Sequence, residues 1–374
     1  MNASRVRFAV MGTGRVTRRL IADIQSTAGA TVTAIASRSA DRARWQADCF
    51  GIPNAVCGYD ELLRRDDFDA VYVALPPSLH HEWTLASCDA GKHVLCEKPL
   101  AVNADQVGEM IDAAETRDVR LLDATAWLHH DRTGQFRQWL DPDRTTPLSD
   151  AEDFGVSDEP DEEPTEPSFR LGPLRHLSAA VSFRSPFQNG DHRLDPDLGG
   201  GCLLDLGWYA AGLIRFAAGR LPQQVYADAV DREGVLTRVS ATMQFSNDLT
   251  ATLSCGFDTA TRKWCEIAGE DASIVCDDFT RPWPDKPARS WVHEASGKVH
   301  SMVEPTVPTD GAPSVCHQER NMIGEFMRRI RLGRIDEAER QSHEQAWQTQ
   351  RILDALAESI SVGGPVKLAV ASVT

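Results

Sequence analysis

The chain predicts an α/β domain built on a doubly wound parallel sheet, followed by an α+β domain with an open-faced, predominantly antiparallel sheet. Three observations predict it. The chain has 374 residues, enough for two domains of about 100 to 200 residues each. Short apolar runs alternate with helical segments as far as about residue 123, the rhythm of βαβ units. Beyond about residue 175 the apolar residues recur at every second position, the period of strands with one buried face.

In the first half, strands are predicted at Val6–Met11, Thr31–Ser37, Asp69–Leu75, His93–Cys96 and Val119–Asp123. Helices are predicted at Arg18–Gln25, Ala40–Phe50, Leu79–Ala90 and Ala104–Thr116, where apolar residues fall three to four apart. In the second half, Val239, Ala241, Met243 and Phe245 alternate with polar residues, as do Leu249, Ala251, Leu253, Cys255 and Phe257. Asn247-Asp248 stands between the runs as a hairpin turn. Tail helices are expected around Arg320–Arg331 and Glu344–Ser361, and Gly364-Pro365 precedes a last short strand. The domains are therefore placed at 1–123 and 124–374. An acidic insertion at about 141–168 holds nine carboxylates, three prolines and no basic residue between Ser149 and Ser168; such a composition predicts a mobile, solvated segment.

The net charge of -16 repels phosphate backbones and anionic lipid, so neither nucleic acid nor a membrane is an expected partner. Nine cysteines without a C-x-x-C pair, and no apolar run long enough for a membrane span, predict reduced thiols and a cytoplasmic protein.

The first predicted strand ends in Gly12-Thr13-Gly14-Arg15-Val16-Thr17, directly before a helical run. A glycine-rich strand-to-helix turn lets the backbone approach a pyrophosphate, and the helix N-terminus offers amide donors. This marks residues 1–123 as a dinucleotide-binding Rossmann domain, although Thr17 occupies the place of the third glycine. The second strand ends in Ser37-Arg38-Ser39, where an Asp or Glu would hold the ribose of NAD. A guanidinium between hydroxyls suits a 2'-phosphate instead, which favours NADP(H) and leaves NAD(H) possible.

Lys98 falls just past the strand His93–Cys96, in Glu97-Lys98-Pro99. With this motif and the earlier Leu75-Pro76-Pro77-Ser78-Leu79-His80, the chain resembles the glucose-fructose oxidoreductase and inositol dehydrogenase (Gfo/Idh/MocA) family. A second block supports the resemblance, running from Arg193-Leu194-Asp195 through Gly199-Gly200-Gly201 to Asp205 and Tyr209. Four residues apart on a helix opened by the glycines, Asp205 and Tyr209 share one face. Tyr209, where many relatives have His, is similar to the glucose-fructose oxidoreductase, dihydrodiol dehydrogenase and xylose dehydrogenase branch.

The resemblance implies hydride transfer between nicotinamide and a CH–OH carbon of a sugar, polyol or related carbohydrate. It makes Lys98, Asp205 and Tyr209 the catalytic candidates. The resemblance sets Lys98 opposite Tyr209, where its ammonium would favour the phenolate and make Tyr209 the proton carrier, with Lys98 itself as the other candidate. Gly12, Thr13, Gly14, Arg15, Val16, Ser37, Arg38, Leu75, Pro76, His80, Glu97 and Lys98 are the cofactor-binding candidates. The alternative is a redox sensor that holds NADP without turnover; retention of Lys98, Asp205 and Tyr209 argues against it.

One departure from the family is Trp127-Leu128-His129-His130, which lacks the Arg that relatives carry before His. His129 and His130 have no third ligand at metal-site spacing, so no metal is expected. A homodimer or homotetramer is expected through the second domain, whose outward Ser240, Thr242, Gln244, Thr250, Thr252 and Ser254 form a hydroxyl-rich face.

Overall fold

The structure, a computed structural model, describes residues 5–141, 146–147, 151–153, 168–184, 186–188, 190–282, 288–303 and 318–368. The chain divides into two compact units. The first comprises Met1–His129, Asn189–Gly200 and His317–Arg351; the second comprises His130–Gln188, Gly201–Cys316 and Ile352–Thr374.

In the first unit β1 (Val6–Met11), β2 (Ala30–Ser37), β3 (Asn54–Cys57), β4 (Ala70–Val73), β5 (His93–Cys96) and β6 (Leu121–Asp123) form one parallel sheet in the order β3-β2-β1-β4-β5-β6. The connections run through α1 (Arg15–Ser26), α2 (Ala40–Phe50), α3 (Tyr59–Leu63), α4 (His80–Asp89) and α5 (Ala104–Thr116). All four residues of β4 are buried, as expected where helices cover both faces of a sheet. The strand order reverses between β1 and β4, which opens a crevice at their carboxyl ends. Neither β3 nor α3 is among the elements predicted above. β3 is a four-residue edge strand whose alternate positions face solvent, too short to register as an apolar run.

The second unit opens with α6 (Asp131–Trp139) and continues through β7 (Thr146–Pro147), β8 (Ala151–Asp153), β9 (Ser168–Phe169) and β10 (Leu174–Ser182). After α7 (Trp208–Ala218) come β11 (Gln224–Arg232), β12 (Val235–Gln244), β13 (Thr250–Gly256), β14 (Cys265–Gly269), β15 (Ala272–Cys276), β16 (Arg289–Glu294) and β17 (Val299–Val303). Of the tail, α8 (Gln318–Leu332) and α9 (Glu337–Val362) as far as Arg351 belong to the first unit, and the rest of α9 with β18 (Val366–Lys367) to the second. Ten strands form a sheet in the order β18-β11-β12-β13-β10-β14-β15-β16-β17-β8, antiparallel throughout except where β10 lies parallel to β13.

The predicted hairpin is β12 and β13, with Asn247 and Asp248 both left-handed (φ 60° and 57°) at the turn, a conformation that Asn and Asp tolerate. Val239, Ala241, Met243, Leu253 and Cys255 are buried, while Ser240, Thr242, Gln244 and Thr250 face out. Of the acidic segment, Ala151–Asp153 pairs with β17; residues 142–145, 148–150 and 154–167 lie outside the described ones.

The tail helix α8 packs on the first unit's sheet. Met322, Ile323, Phe326 and Met327 join the core of Phe8, Val10, Leu20, Ile21 and Ile35, and the rings of Phe8 and Phe326 lie 6.1 Å apart. This helix covers the sheet beside α1, a role that its amphipathic pattern does not reveal.

Candidate active site

The candidate cofactor residues follow β1, β2, β4 and β5 at the carboxyl edge of the first unit's sheet. Gly12 has φ 105°, and a Cβ there would stand 2.4 Å from the Ala74 carbonyl oxygen after β4. Only glycine fits. Around Gly14 the space for a side chain is open, with no atom within 4 Å of a built Cβ. α1 begins at Arg15, three residues earlier than the apolar periodicity predicts, and Gly14 caps it without a side chain. Gly14, Arg15 and Val16 are exposed, so the start of α1 is open. This is the cradle a pyrophosphate requires.

Ser37 is buried, and its Oγ accepts from the Ser39 N–H at 3.2 Å and from the Thr13 hydroxyl at 3.4 Å. Thr13 and Ser37 thus link the loops after β1 and β2. Arg38 is exposed beside them. Ser39 caps α2 by accepting from the Arg42 N–H at 3.4 Å.

His80 and Glu97 are held by the protein itself. His80 is 1% exposed, with Nε2 2.8 Å from the Leu75 carbonyl and Nδ1 2.9 Å from that of Pro99. The ring packs between the loop after β4 and the loop after β5, and the nitrogen that carries its proton donates to one of the two carbonyls. Burial pushes its pKa down, against the pull of the two carbonyls. Glu97 accepts from the Tyr72 hydroxyl at 2.5 Å and from the Lys98 N–H at 3.2 Å. Burial raises the Glu97 carboxyl, opposed by the Tyr72 hydrogen bond and the Lys98 charge; desolvation also holds the Tyr72 hydroxyl protonated and donating. The Lys98-Pro99 peptide is cis. Through their hydrogen bonds His80 and Glu97 shape the loops that carry Leu75, Pro76 and Lys98.

The three consecutive glycines act differently. A Cβ on Gly199 (φ 78°) would meet Pro77 Cβ at 2.9 Å, so the Asp195–Gly199 turn seats on the loop after β4. A Cβ on Gly200 would lie 2.7 to 2.8 Å from the carbonyls of His192, Arg193 and Asp195. Gly201 has φ 99°. Sequence reading singles out the motif but not these separate constraints, which become visible only where the backbone is crowded.

In the second unit, the expected α-helical start after the glycines is instead a π-helical turn, Leu203–Gly207, which leads into α7. Such turns are rare and recur at functional sites. Asp205 lies in this turn and Tyr209 in the first turn of α7, both half-buried. The turn is packed from below: a Cβ on Gly207 would touch Leu203, Leu353 and Cys255 at 3.1 to 3.6 Å. Trp208 is 2% exposed, which fixes the rotation of the helix that carries Tyr209.

His129 accepts through its carbonyl from Asn321 at 3.0 Å, and His130 Nδ1 accepts from the Arg132 N–H at 3.1 Å, capping α6. Among the described residues no group of three or more His, Cys, Asp or Glu could hold a metal ion. Trp127 is core at 1% exposure, and Phe183 and Phe187 cluster with Phe257. The eight described cysteines are free thiols.

The oxidoreductase family with an NAD-binding Rossmann fold matches residues 6–125, and the Gfo/Idh/MocA C-terminal domain matches residues 168–275. A D-xylose 1-dehydrogenase (NADP(+)) of Haloferax volcanii is 31% identical over 363 residues, covering 96% of this chain and 99% of that protein. The chain belongs to the Gfo/Idh/MocA family of oxidoreductases. A dTDP-3,4-didehydro-2,6-dideoxy-alpha-D-glucose 3-reductase of Actinomadura kijaniata is 35% identical over 277 residues, 73% of this chain and 75% of that one. The crystal structure of KijD10, a 3-ketoreductase from Actinomadura kijaniata in complex with NADP and TDP-benzene, superposes with TM-score 0.80 at 26% identity. It covers 95% of this chain and 98% of that one. This Gfo/Idh/MocA chain carries Glu97-Lys98-Pro99 after β5 and has Thr17 where the general glycine-rich turn pattern has its third glycine.

The cap on α6 titrates. Burial, reinforced by Arg132, lowers the His130 pKa from 6.5 to about 4. The neutral ring is the form that accepts, so its stabilising contribution is complete above pH 6.5 and is lost as pH falls toward 4. Thermal melts between those limits should show His130→Asn, which caps without titrating, with a shallower acid-side loss of Tm than wild type. Equal slopes would remove His130 from the acid response.

Proposed function

We propose that this enzyme transfers hydride reversibly between NADP(H) and a CH–OH carbon of a sugar, polyol or related carbohydrate, with NAD(H) as the weaker cofactor. The observation that carries the reading is the gathering of the Gly12–Val16 turn, Leu75-Pro76 and Lys98 on both sides of the β1/β4 switch point. The NADP-linked sugar oxidoreductases among the relatives support it.

Gly12, Thr13, Gly14, Arg15 and Val16 hold the pyrophosphate on the amides of α1, and Ser37 with Arg38 reads the 2'-phosphate. Leu75 and Pro76 form an apolar wall for the nicotinamide, kept in place by His80. The nicotinamide supplies hydride acceptance and donation when bound. Tyr209 moves the proton at the substrate oxygen, Lys98 polarises that oxygen and favours the phenolate, and Asp205 orients the substrate.

We also assign the chain to the reduced cytoplasm, in keeping with the free thiols of its eight described cysteines, and propose a homodimer or homotetramer built on the outer face of β10 to β13. That face is paved with hydroxyls, including a Ser178–Thr252 bond of 2.7 Å. It holds a depression of about 430 Å³ whose lining includes Tyr226, Asp228, Arg262 and Trp264.

Three measurements test these readings. Lys98→Met and Tyr209→Phe should each lower kcat by about 10² to 10⁴-fold with NADPH binding near wild type, assayed with NADP over a panel of aldoses, polyols and dihydrodiols. Full turnover by Tyr209→Phe would take it off the proton path. Arg38→Asp should shift the kcat/KM preference from NADP toward NAD; tighter NAD than NADP binding by wild type contradicts the phosphate assignment. Thr252→Lys, which sets like charges across a two-fold, should convert an oligomer to monomer in sedimentation equilibrium, and an active wild-type monomer at micromolar concentration sinks the assembly.

A further inference from the structure

Thr17, where the glycine pattern places its third glycine, is fully buried in the first turn of α1. Its hydroxyl lies 2.7 Å from the Gly14 carbonyl oxygen and 2.6 Å from Nε2 of Gln46. Gln46 stands on α2 and has no exposed surface. The Thr17 backbone N–H reaches the same Gly14 carbonyl at 3.2 Å. The donor directions follow from proton counting. A hydroxyl has one proton, and the carbonyl can only accept, so that proton goes to Gly14. Gln46 must then present its nitrogen to the Thr17 oxygen. The result is a directed relay from Gln46 N–H to Thr17 O–H to the Gly14 carbonyl.

The relay acts on the peptide that matters most at this turn. The Gly14 carbonyl and the Arg15 N–H belong to one planar trans unit and point in opposite directions. Two donors on the carbonyl therefore fix where the Arg15 amide points, which is out of the N-terminus of α1. A third glycine allows helix and strand to pack closely but holds no peptide plane; Thr17 adds a bond that does. α2 begins directly after Ser37-Arg38-Ser39, so the same helix that follows the 2'-phosphate loop braces the pyrophosphate turn.

We infer that Gln46 and Thr17 are positioning residues for the cofactor pyrophosphate, with Gln46 acting through Thr17 from a site that no ligand reaches. The inference rests on the NADP(H) reading above. Titration of the full-length protein with NADPH, followed by nicotinamide fluorescence, tests it alongside thermal melts. Gln46→Met keeps the length of the side chain and removes its buried amide, including an Oε1 with no hydrogen-bond partner among the described residues. It should raise the NADPH Kd about fivefold to tenfold, the scale of one lost hydrogen bond, while Tm stays near wild type. Thr17→Ser, which keeps the hydroxyl, should bind as wild type does. Thr17→Val combined with Gln46→Met should bind no more weakly than the weaker single variant, because both cut one relay. Wild-type binding that saturates, together with an unchanged Kd in Gln46→Met or additive losses in the double variant, overturns the relay alone. A wild type that does not bind NADPH overturns the cofactor reading and the relay with it.

Discussion

At the carboxyl end of β1 the backbone of Gly12 runs so close to the chain leaving β4 that a Cβ would lie 2.4 Å from the Ala74 carbonyl oxygen. The rest of the first unit's site depends on this contact. It brings the first two loops of the switch point together, so the amides at the start of α1 and the wall formed by Leu75 and Pro76 flank one crevice. A methyl group at that position would push the loops apart, and no rotamer could relieve it because the obstructing atom is backbone.

The surrounding residues preserve this geometry by hydrogen bonding. Thr13 and Ser37 tie the loops after β1 and β2, His80 packs between those after β4 and β5, and Tyr72 with Glu97 braces the turn into Lys98. Ser37, His80 and Tyr72 are buried, where an unmade hydrogen bond is expensive, so these contacts restrict the loops they join. The side chains of Arg15, Val16 and Arg38 remain exposed at this edge. In the second unit the same division holds: Trp208 and Gly207 are fixed in the packing, while Asp205 and Tyr209 stay half-open on either side of the π-to-α transition.

Much of this was legible in the residues. The parallel first sheet, the hairpin at Asn247-Asp248, the glycine turn and the Glu97-Lys98-Pro99 edge all rest on local signals: apolar runs, period-two alternation, and glycine where the backbone turns. Those signals depend on neighbours within a few positions, so the sequence by itself determines them. It also determines the side-chain chemistry at Ser37, Arg38, Lys98 and Tyr209, since that is a property of residue type. Tertiary structure alone decided the rest. It turned His80 and Glu97 inward to hold loops, placed α8 in the core of the first sheet, inserted β10 parallel to β13, wound Leu203–Gly207 as a π-turn, and joined Gln46 to Thr17 across 29 positions. Each of these depends on which distant groups compete for the same buried space or the same proton, and that competition has no local trace in the order of the residues.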